Sequence, residues 1–254
     1  ASENVRWKQS ILDLADAREL LIGDTLVAAS FVSYIGPFTK PYRTRLLQEE
    51  WIPFLLIPSK AGHLLPMSAD PNPMTVLSSD SEIATWNMSK LPSDPVSSEN
   101  GCIVMRSARW PLMIDPQLQG IAWIKAFESK DEARPLTITR LGNKDIMIKL
   151  KAALEGGHPF LIENLEEAVD ASLMPVVQRA LIKRGSRFYV KLGEDEVEFN
   201  SQFKMYLHTK LSNPHYAPEI QAETTLVNFT VTPQGLEDQL LALVVQKERE
   251  DLAK

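Results

Sequence analysis

The chain has 254 residues, 44% hydrophobic and 24% charged, enough for one large domain or two small ones with a proper core. Its net charge of −6 would meet phosphates with the wrong average field, which argues against a general nucleic-acid or anionic-membrane binder. The single cysteine, Cys102, excludes an internal disulfide and suits a reducing compartment. The longest apolar stretch, Leu26 to Ile35, is broken by serines and is shorter than the ~20 residues a membrane helix needs. No secretory leader is visible, and a start at Ala1-Ser2 reads as a piece of something longer.

The first stretch reads as helix. Trp7, Ile11, Leu14, Arg18 and Leu21 follow a 4-3-4-3 spacing, a coiled-coil rhythm too short to establish a coiled coil by itself. Gly23-Asp24 predicts an interruption. A second helix, Thr25 to Ile35, is apolar nearly all round and should be buried. Gly36-Pro37 stops it. A third helix is predicted over Tyr42 to Ile57 with a bend at Pro53, then a loop from Pro58 to Pro73. Thr75 to Met88 reads as one helix with Val76, Ile83 and Trp86 as its apolar face. Leu91-Pro92-Ser93-Asp94-Pro95 reads as an extended connector.

From about residue 100 short apolar runs alternate with amphipathic helices, the signature of a parallel α/β sheet. The predicted strands are Trp110–Asp115, Leu136–Thr139, Pro159–Glu163, Phe203–Thr209 and Thr225–Val231. Helices are predicted near Leu118–Glu128, Lys144–Glu155 and Ser172–Arg184. Arg187–Leu192 and Glu196–Asn200 alternate across Gly193-Glu194-Asp195, an inserted hairpin. Pro233 opens a final helix with a Leu240, Leu241, Val244, Val245 face.

Five strands with intervening helices suggest the core of a P-loop nucleotide hydrolase. Its phosphate cradle needs converging backbone N–H groups and a lysine that reaches the phosphates. No Gly-Lys pair exists in the chain. After the first strand the turn reads Asp115-Pro116-Gln117-Leu118-Gln119-Gly120. Pro116 lacks a donor. Asp115 sets a negative charge where phosphates would lie; a like-charge pair ~4 Å apart at an effective dielectric of ~20 costs about 4 kcal/mol. Hydrolases of this class end the third strand with an acidic pair for magnesium and water. Here the strand ends Glu163-Asn164, and an amide is no general base at neutral pH. The plainer alternative is a buried strand ending in a helix-capping residue.

Several strings resemble a dynein heavy chain, in the fifth AAA+ module of the motor ring. They are Ala108 to Gln117 (ARWPLMIDPQ), Leu91 to Asp94 with Ser98 to Gly101, Tyr206 to Lys210, Thr224 to Thr232, and Gly235 to Leu241. Asn213 to Glu219 (NPHYAPE) looks more axonemal than cytoplasmic. The resemblance covers nearly the whole chain. It implies a P-loop-like AAA+ large subdomain, an α/β fold with a five-stranded parallel sheet and inserted hairpin, over residues 75–232. An all-α segment, residues 1–60, would be the returning strand of the microtubule-binding stalk and the base of the preceding module's small subdomain. Residues 233–254 would be the first helix of the lid.

The resemblance further implies a structural module without catalytic residues, bound nucleotide or metal. ATP and magnesium would sit in other modules of a parent chain that drives ciliary or flagellar beating. Asp115, Pro116, Gln117, Gln119 and Gly120 then stand at a degenerate phosphate loop, and Glu163 and Asn164 at a degenerate magnesium and base position. Many AAA+ modules carry an arginine finger before the fifth strand. No arginine lies between Leu211 and Thr232, and Glu223 aligns with that position. Implied partners are neighbouring AAA+ modules, the stalk and, through the parent chain, the microtubule, with no nucleic acid or membrane. The implied location is the cytoplasm, in the cytoskeleton of the ciliary axoneme. Two alternatives stay open: a regulatory module that still binds ATP or ADP weakly, and a free-standing adaptor.

His158, His208 and His215 do not stand at metal-ligand spacing, and a structural role is the plain reading. Lys183, Arg184, Arg187 and Lys191 form a basic patch, either a solvated face or a contact for an acidic neighbour. Cys102 lies in an apolar, strand-like run and reads as an inert buried thiol. Trp7, Trp51, Trp86, Trp110 and Trp123 are expected to pack between helices and sheet.

Overall fold

The structure is a computed structural model that describes residues 2–58, 62–231 and 233–248. It divides into two compact units, residues 1–79 and 80–254.

The first unit is helical. Helix α1 runs unbroken from Ser2 to Tyr34, so Gly23-Asp24 does not interrupt it. These two residues instead anchor the loop that follows later in the chain. A Cβ on Gly23 would lie 2.6 Å from the Met67 Cβ and 2.7 Å from the Pro66 carbonyl oxygen, so only glycine admits that backbone. The Asp24 carboxylate accepts hydrogen bonds from the Ser68 backbone N–H at 2.9 Å and the Ser68 hydroxyl at 2.5 Å. Val27, Ala28, Phe31, Val32 and Ile35 are buried, but Leu26 and Tyr34 are exposed, so the segment has one buried stripe rather than burial all round. Trp7 is 72% exposed, not packed as expected, and Leu21 is also exposed. The side chains of Ile11 and Leu14 lie outside the described residues.

The predicted third helix is a sequence of α2 (Lys40–Thr44), a π-helical stretch (Arg45–Trp51) and α3 (Ile52–Leu55). Pro53 cannot donate to the turn before it and its ring crowds the carbonyl there, so the widened turn precedes it. The buried Arg43 guanidinium donates to the carbonyls of Phe38 at 2.8 Å and Gly36 at 3.1 Å, satisfying the turn that ends α1. The predicted helix Thr75–Met88 is two helices. Helix α4 (Pro73–Leu77) is capped by the Asn72 side chain and closes the first unit. It ends where the Ser78 hydroxyl and N–H both turn back on the Met74 carbonyl, each at 2.9 Å.

The second unit opens with α5 (Asp80–Met88), which buries Trp86. Helix α6 (Pro95–Arg106) carries Cys102, so the strand-like run expected there is helical and the thiol is buried. The deciding signal is local: Asp94 accepts from the Ser97 N–H at 2.9 Å and Pro95 takes the first helical position.

The main sheet has five parallel strands in the order β2-β3-β7-β1-β8. They are β1 (Trp110–Ile114), β2 (Thr137–Arg140), β3 (Pro159–Glu163), β7 (Lys204–Thr209) and β8 (Thr224–Asn228). Helices α7 (Gln119–Glu128) and α8 (Ile146–Gly156) connect the first three, and α10 (Pro218–Glu223) precedes β8. β3 and β7 are buried almost throughout, as central parallel strands must be.

Between β3 and β7 the predicted helix Ser172–Arg184 does not form. A single 3-10 turn (Ala171–Leu173) leads into the short α9 (Met174–Val177), and the chain then extends as β4 (Leu181–Arg184). β4 pairs antiparallel with β5 (Arg187–Leu192), which pairs with β6 (Asp195–Glu198). Gly185 and Gly193 open the two tight turns with φ of 62° and 64°, which suits two-residue hairpins. The insertion is thus a three-stranded sheet. Two of the four residues of its basic patch are matched: Arg184 pairs with Glu196 at 2.7 Å and Arg187 with Glu198 at 2.9 Å.

The core lies between this insertion, α8 and the main sheet, around Trp110, Leu112, Leu154, Phe160 and Leu207. The Trp110 indole N–H donates to the Val176 carbonyl at 2.8 Å, tying α9 to β1. Trp86, Trp110 and Trp123 are buried. Helix α11 (Pro233–Glu248) ends the described chain, with Leu240, Leu241 and Val244 exposed; the Val245 side chain lies outside the described residues.

Candidate functional site

Three strands end side by side: β3, β7 and β1. In open parallel sheets the crevice at the carboxyl ends of such strands is where ligands bind. Asp115 follows β1 directly. Its N–H donates to the Thr209 carbonyl at 2.9 Å, extending the pairing of β1 with β7. Its side chain is fully buried and lies at the start of α7. One carboxylate oxygen accepts the Gln119 N–H and the other the Ile121 N–H, both at 2.9 Å. Leu118 turns the chain with φ 63°, in the left-handed region, which aims these donors back at Asp115.

A helix N-terminus attracts anions through its free N–H groups and dipole. Here the anion is the protein's own carboxylate. Gly120 admits a second filler: a Cβ there would meet the Phe229 ring at 3.1 Å, and Phe229 is buried against the start of α7. Gln117 accepts the Val231 N–H at 3.4 Å. Pro116 is half-buried and offers no donor. Ile121 and Ala122 follow Gly120, where a phosphate cradle needs a lysine and a hydroxyl. These residues do not fit a magnesium triphosphate.

Neighbouring strand ends close the crevice. The Asn164 N–H donates to His208 Nδ1 at 3.3 Å, with Asn164 at φ 52°. An accepting Nδ1 leaves the ring proton on Nε2, which faces the Asp115 carboxylate across 3.6 Å. His208 is fully buried. Glu163 is 7% exposed and ion-paired to Lys125 of α7 and, at 3.3 Å, to Arg140 of β2. Burial raises its carboxyl pKa, but the two cations outweigh that and hold it below the ordinary value. Lysine and arginine thus meet the carboxylate at the end of β3.

Helix α11 is tied to the start of α7 by amides. Gln119 donates to the Gln239 side-chain oxygen at 2.9 Å, and Gln239 donates to Asp94 at 3.0 Å. Glu223 stands at the end of α10, half-buried, and beside it the Arg109 guanidinium donates to the Ala222 carbonyl at 2.7 Å. Glu223 is apart from the cluster around Asp115. Sequence reasoning missed His208, Lys125, Arg140, Asp94 and Gln239 as members of the site. Only Asp94 carried a local signal, the N-cap pattern Asp-Pro-x-Ser. Among the described residues no group of His, Cys, Asp and Glu could hold a metal ion, and no helix is long and apolar enough to cross a membrane.

A family model described as the ATP-binding dynein motor region matches residues 84–254. The chain belongs to the dynein motor family. A second model, the microtubule-binding stalk of the dynein motor, matches residues 1–55. Similar dynein chains include the flagellar outer-arm alpha chain of Chlamydomonas reinhardtii, 51% identical over 99% of this chain. The ciliary beta chain of Tripneustes gratilla is 48% identical over 100%, and human axonemal heavy chain 9 is 46% identical over 99%. The chain spans only 5–6% of the length of these dyneins. The five-stranded sheet and the helical segment before it are those of a dynein AAA+ region that follows stalk sequence.

Proposed function

We propose that this chain is the fifth AAA+ module of an axonemal dynein heavy chain, with the returning end of the stalk at its amino terminus. The module works without nucleotide. It transmits conformational change between the motor ring and the stalk in an ATP-driven, minus-end-directed microtubule motor of cilia and flagella. Its partners are the neighbouring AAA+ modules, the stalk and, through the parent chain, the microtubule, in the axonemal cytoskeleton. ATP and magnesium belong to other modules of that chain. No residue here is catalytic.

One observation carries this reading: the Asp115 carboxylate already takes the N–H donors of α7 that a phosphate would need. A phosphate brought beside it would meet a fixed negative charge, with no lysine to offset a repulsion of about 4 kcal/mol at ~4 Å and an effective dielectric of ~20. That is roughly three powers of ten in affinity. Titration of the chain with a fluorescent ATP or ADP in the presence of magnesium tests it. No saturable binding is expected up to millimolar concentration, and a sub-millimolar dissociation constant would overturn the reading.

The name of the matching family, an ATP-binding motor region, favours the rival reading of a weak regulatory nucleotide site, and the same titration separates the two. The free-standing adaptor is decided by the length of the encoding transcript. With glutamate at the aligned finger position, this module supplies no arginine to the preceding module's nucleotide. Loss of that neighbour's ATP turnover on Glu223→Lys, with the ring intact, would count against this.

A further inference from the structure

At the other end of the main sheet's strands, the amino ends of β1 and β7 flank a cavity of about 140 Å³. This volume holds one benzene-sized group. It is well below the ~300–1,000 Å³ of nucleotide- and drug-sized sites. Val104, Met105, Pro111 and Phe203 give it apolar walls, and Arg109, Arg179 and Lys204 bring positive charge to it. The chain as a whole carries −6, so this local positive field runs against the average.

Arg179 is the unusual member. Its backbone is left-handed, with φ 50°, held by hydrogen bonds from its own N–H to the Val176 carbonyl at 3.1 Å and from the Ala180 N–H to the Pro175 carbonyl at 2.9 Å. These two bonds are the ordinary closing pattern of a helix carboxyl terminus, with Arg179 in the left-handed position just after α9. The guanidinium lies over the Trp110 ring, 3.7 Å from its centroid. Trp110 is itself fixed by its hydrogen bond to Val176 and by edge-on contact with Phe203, ring centroids 5.6 Å apart. Partial burial pulls the Arg179 pKa below its ordinary value. No described carboxylate pairs with it.

The other charges at the cavity are partly matched. Lys204 lies 3.6 Å from Glu128, which also accepts the Tyr206 hydroxyl at 2.5 Å. Arg109 donates to Ala222. Arg179 brings a planar fork, stacked on Trp110, to the lining of this apolar slot.

We infer that this cavity is a receptor for one glutamate side chain presented by a protein segment, with Arg179 as the ligand of its carboxylate. The methylenes fit the apolar walls and the volume admits one side chain. The inference does not depend on whether the Asp115 crevice binds nucleotide.

The test is an NMR titration of the ¹⁵N-labelled chain with the capped tripeptide acetyl-Gly-Glu-Gly-amide at constant ionic strength, reading the Arg179 Nε–H and Trp110 indole N–H signals. Both should shift saturably. The glutamine tripeptide should bind about tenfold or more weakly, and Arg179→Gln should weaken glutamate binding by a similar factor with the far-ultraviolet spectrum unchanged. Arg179→Lys keeps the charge and loses the fork, so it should fall between; it also serves if Arg179→Gln does not fold. No saturable shift, an equal response to the glutamine peptide, or an equal response to inorganic phosphate would each overturn the inference.

Discussion

Asp115 and His208 are both fully buried, and their nearest side-chain atoms, Oδ2 and Nε2, stand 3.6 Å apart. They lie at the carboxyl ends of adjacent parallel strands, so a carboxyl group just past β1 faces a polar ring on β7. Asp115 is held by two backbone donors of α7, and His208 by the Asn164 N–H.

Asp115→Ala removes the acceptor of two buried donors and leaves His208 Nε2 facing a void. Loss of a cap costs about 0.5–2 kcal/mol and a stranded buried donor about 1–3 kcal/mol. A destabilisation of roughly 2–4 kcal/mol is expected, read from the midpoint of urea unfolding at constant slope. The variant still lacks the lysine of a cradle, so it gains no nucleotide affinity. Tight nucleotide binding by this variant would show that Asp115 alone blocks the site.

Glu163 makes stability depend on pH in one direction. Its folded pKa is depressed by Lys125 and Arg140 against the opposing effect of burial. The stabilisation is therefore fully present above the unfolded carboxyl pKa of about 4.3 and is lost as pH falls through the lower folded pKa. Unfolding midpoints compared at neutral pH and at about pH 3 should fall more steeply in the native chain than in Glu163→Gln. Parallel profiles would mean the ion pairs do not act on folding.

Gly23→Ala reverses an ordinary rule. In an exposed helix the change stabilises by about 1 kcal/mol. Here the new Cβ would stand 2.7 Å from the Pro66 carbonyl oxygen and 2.6 Å from the Met67 Cβ, so the loop must leave. Overpacking of this kind costs about 1–3 kcal/mol. Protease cleavage in the 62–72 segment should rise, and a gain in thermal stability would contradict the packing described.

Gln239→Ala cuts the amide bridge from Gln119 to Asp94. Each lost hydrogen bond is worth about 0.5–1.5 kcal/mol, most of it local to α11. Amide exchange in α11 should accelerate several-fold while exchange in β3 and β7 stays unchanged. Equal acceleration in both would mean that α11 unfolds only with the whole unit.

The alternation of strand and helix was legible in short windows. Pro159–Glu163 was predicted to the residue, because a run of four apolar residues between Gly156-Gly157 and Asn164 admits few other readings. The missing lysine of a phosphate cradle is likewise visible without coordinates. Three local errors share a cause. Gly23 looked like a break because glycine usually is one, but its missing side chain serves a loop some forty residues away. Ser172–Arg184 looked helical by period, but Leu181–Arg184 found a partner in β5 across the Gly185 turn. Cys102 sat in an apolar run that reads as strand until Asp94 is recognised as a cap.

The chain's own residues, taken alone, determined that an α/β sheet forms, that its first turn has no Gly-Lys pair, and that its strings match the dynein motor. Tertiary structure decided what gathers at the ends of the strands. Asp115 turns onto α7, His208 arrives from β7, Lys125 and Arg140 converge on Glu163, and Gln239 ties α11 to α7. Turn chemistry and periodicity act over a few residues, whereas these charges and amides meet only because parallel pairing brings the ends of separate strands into one crevice.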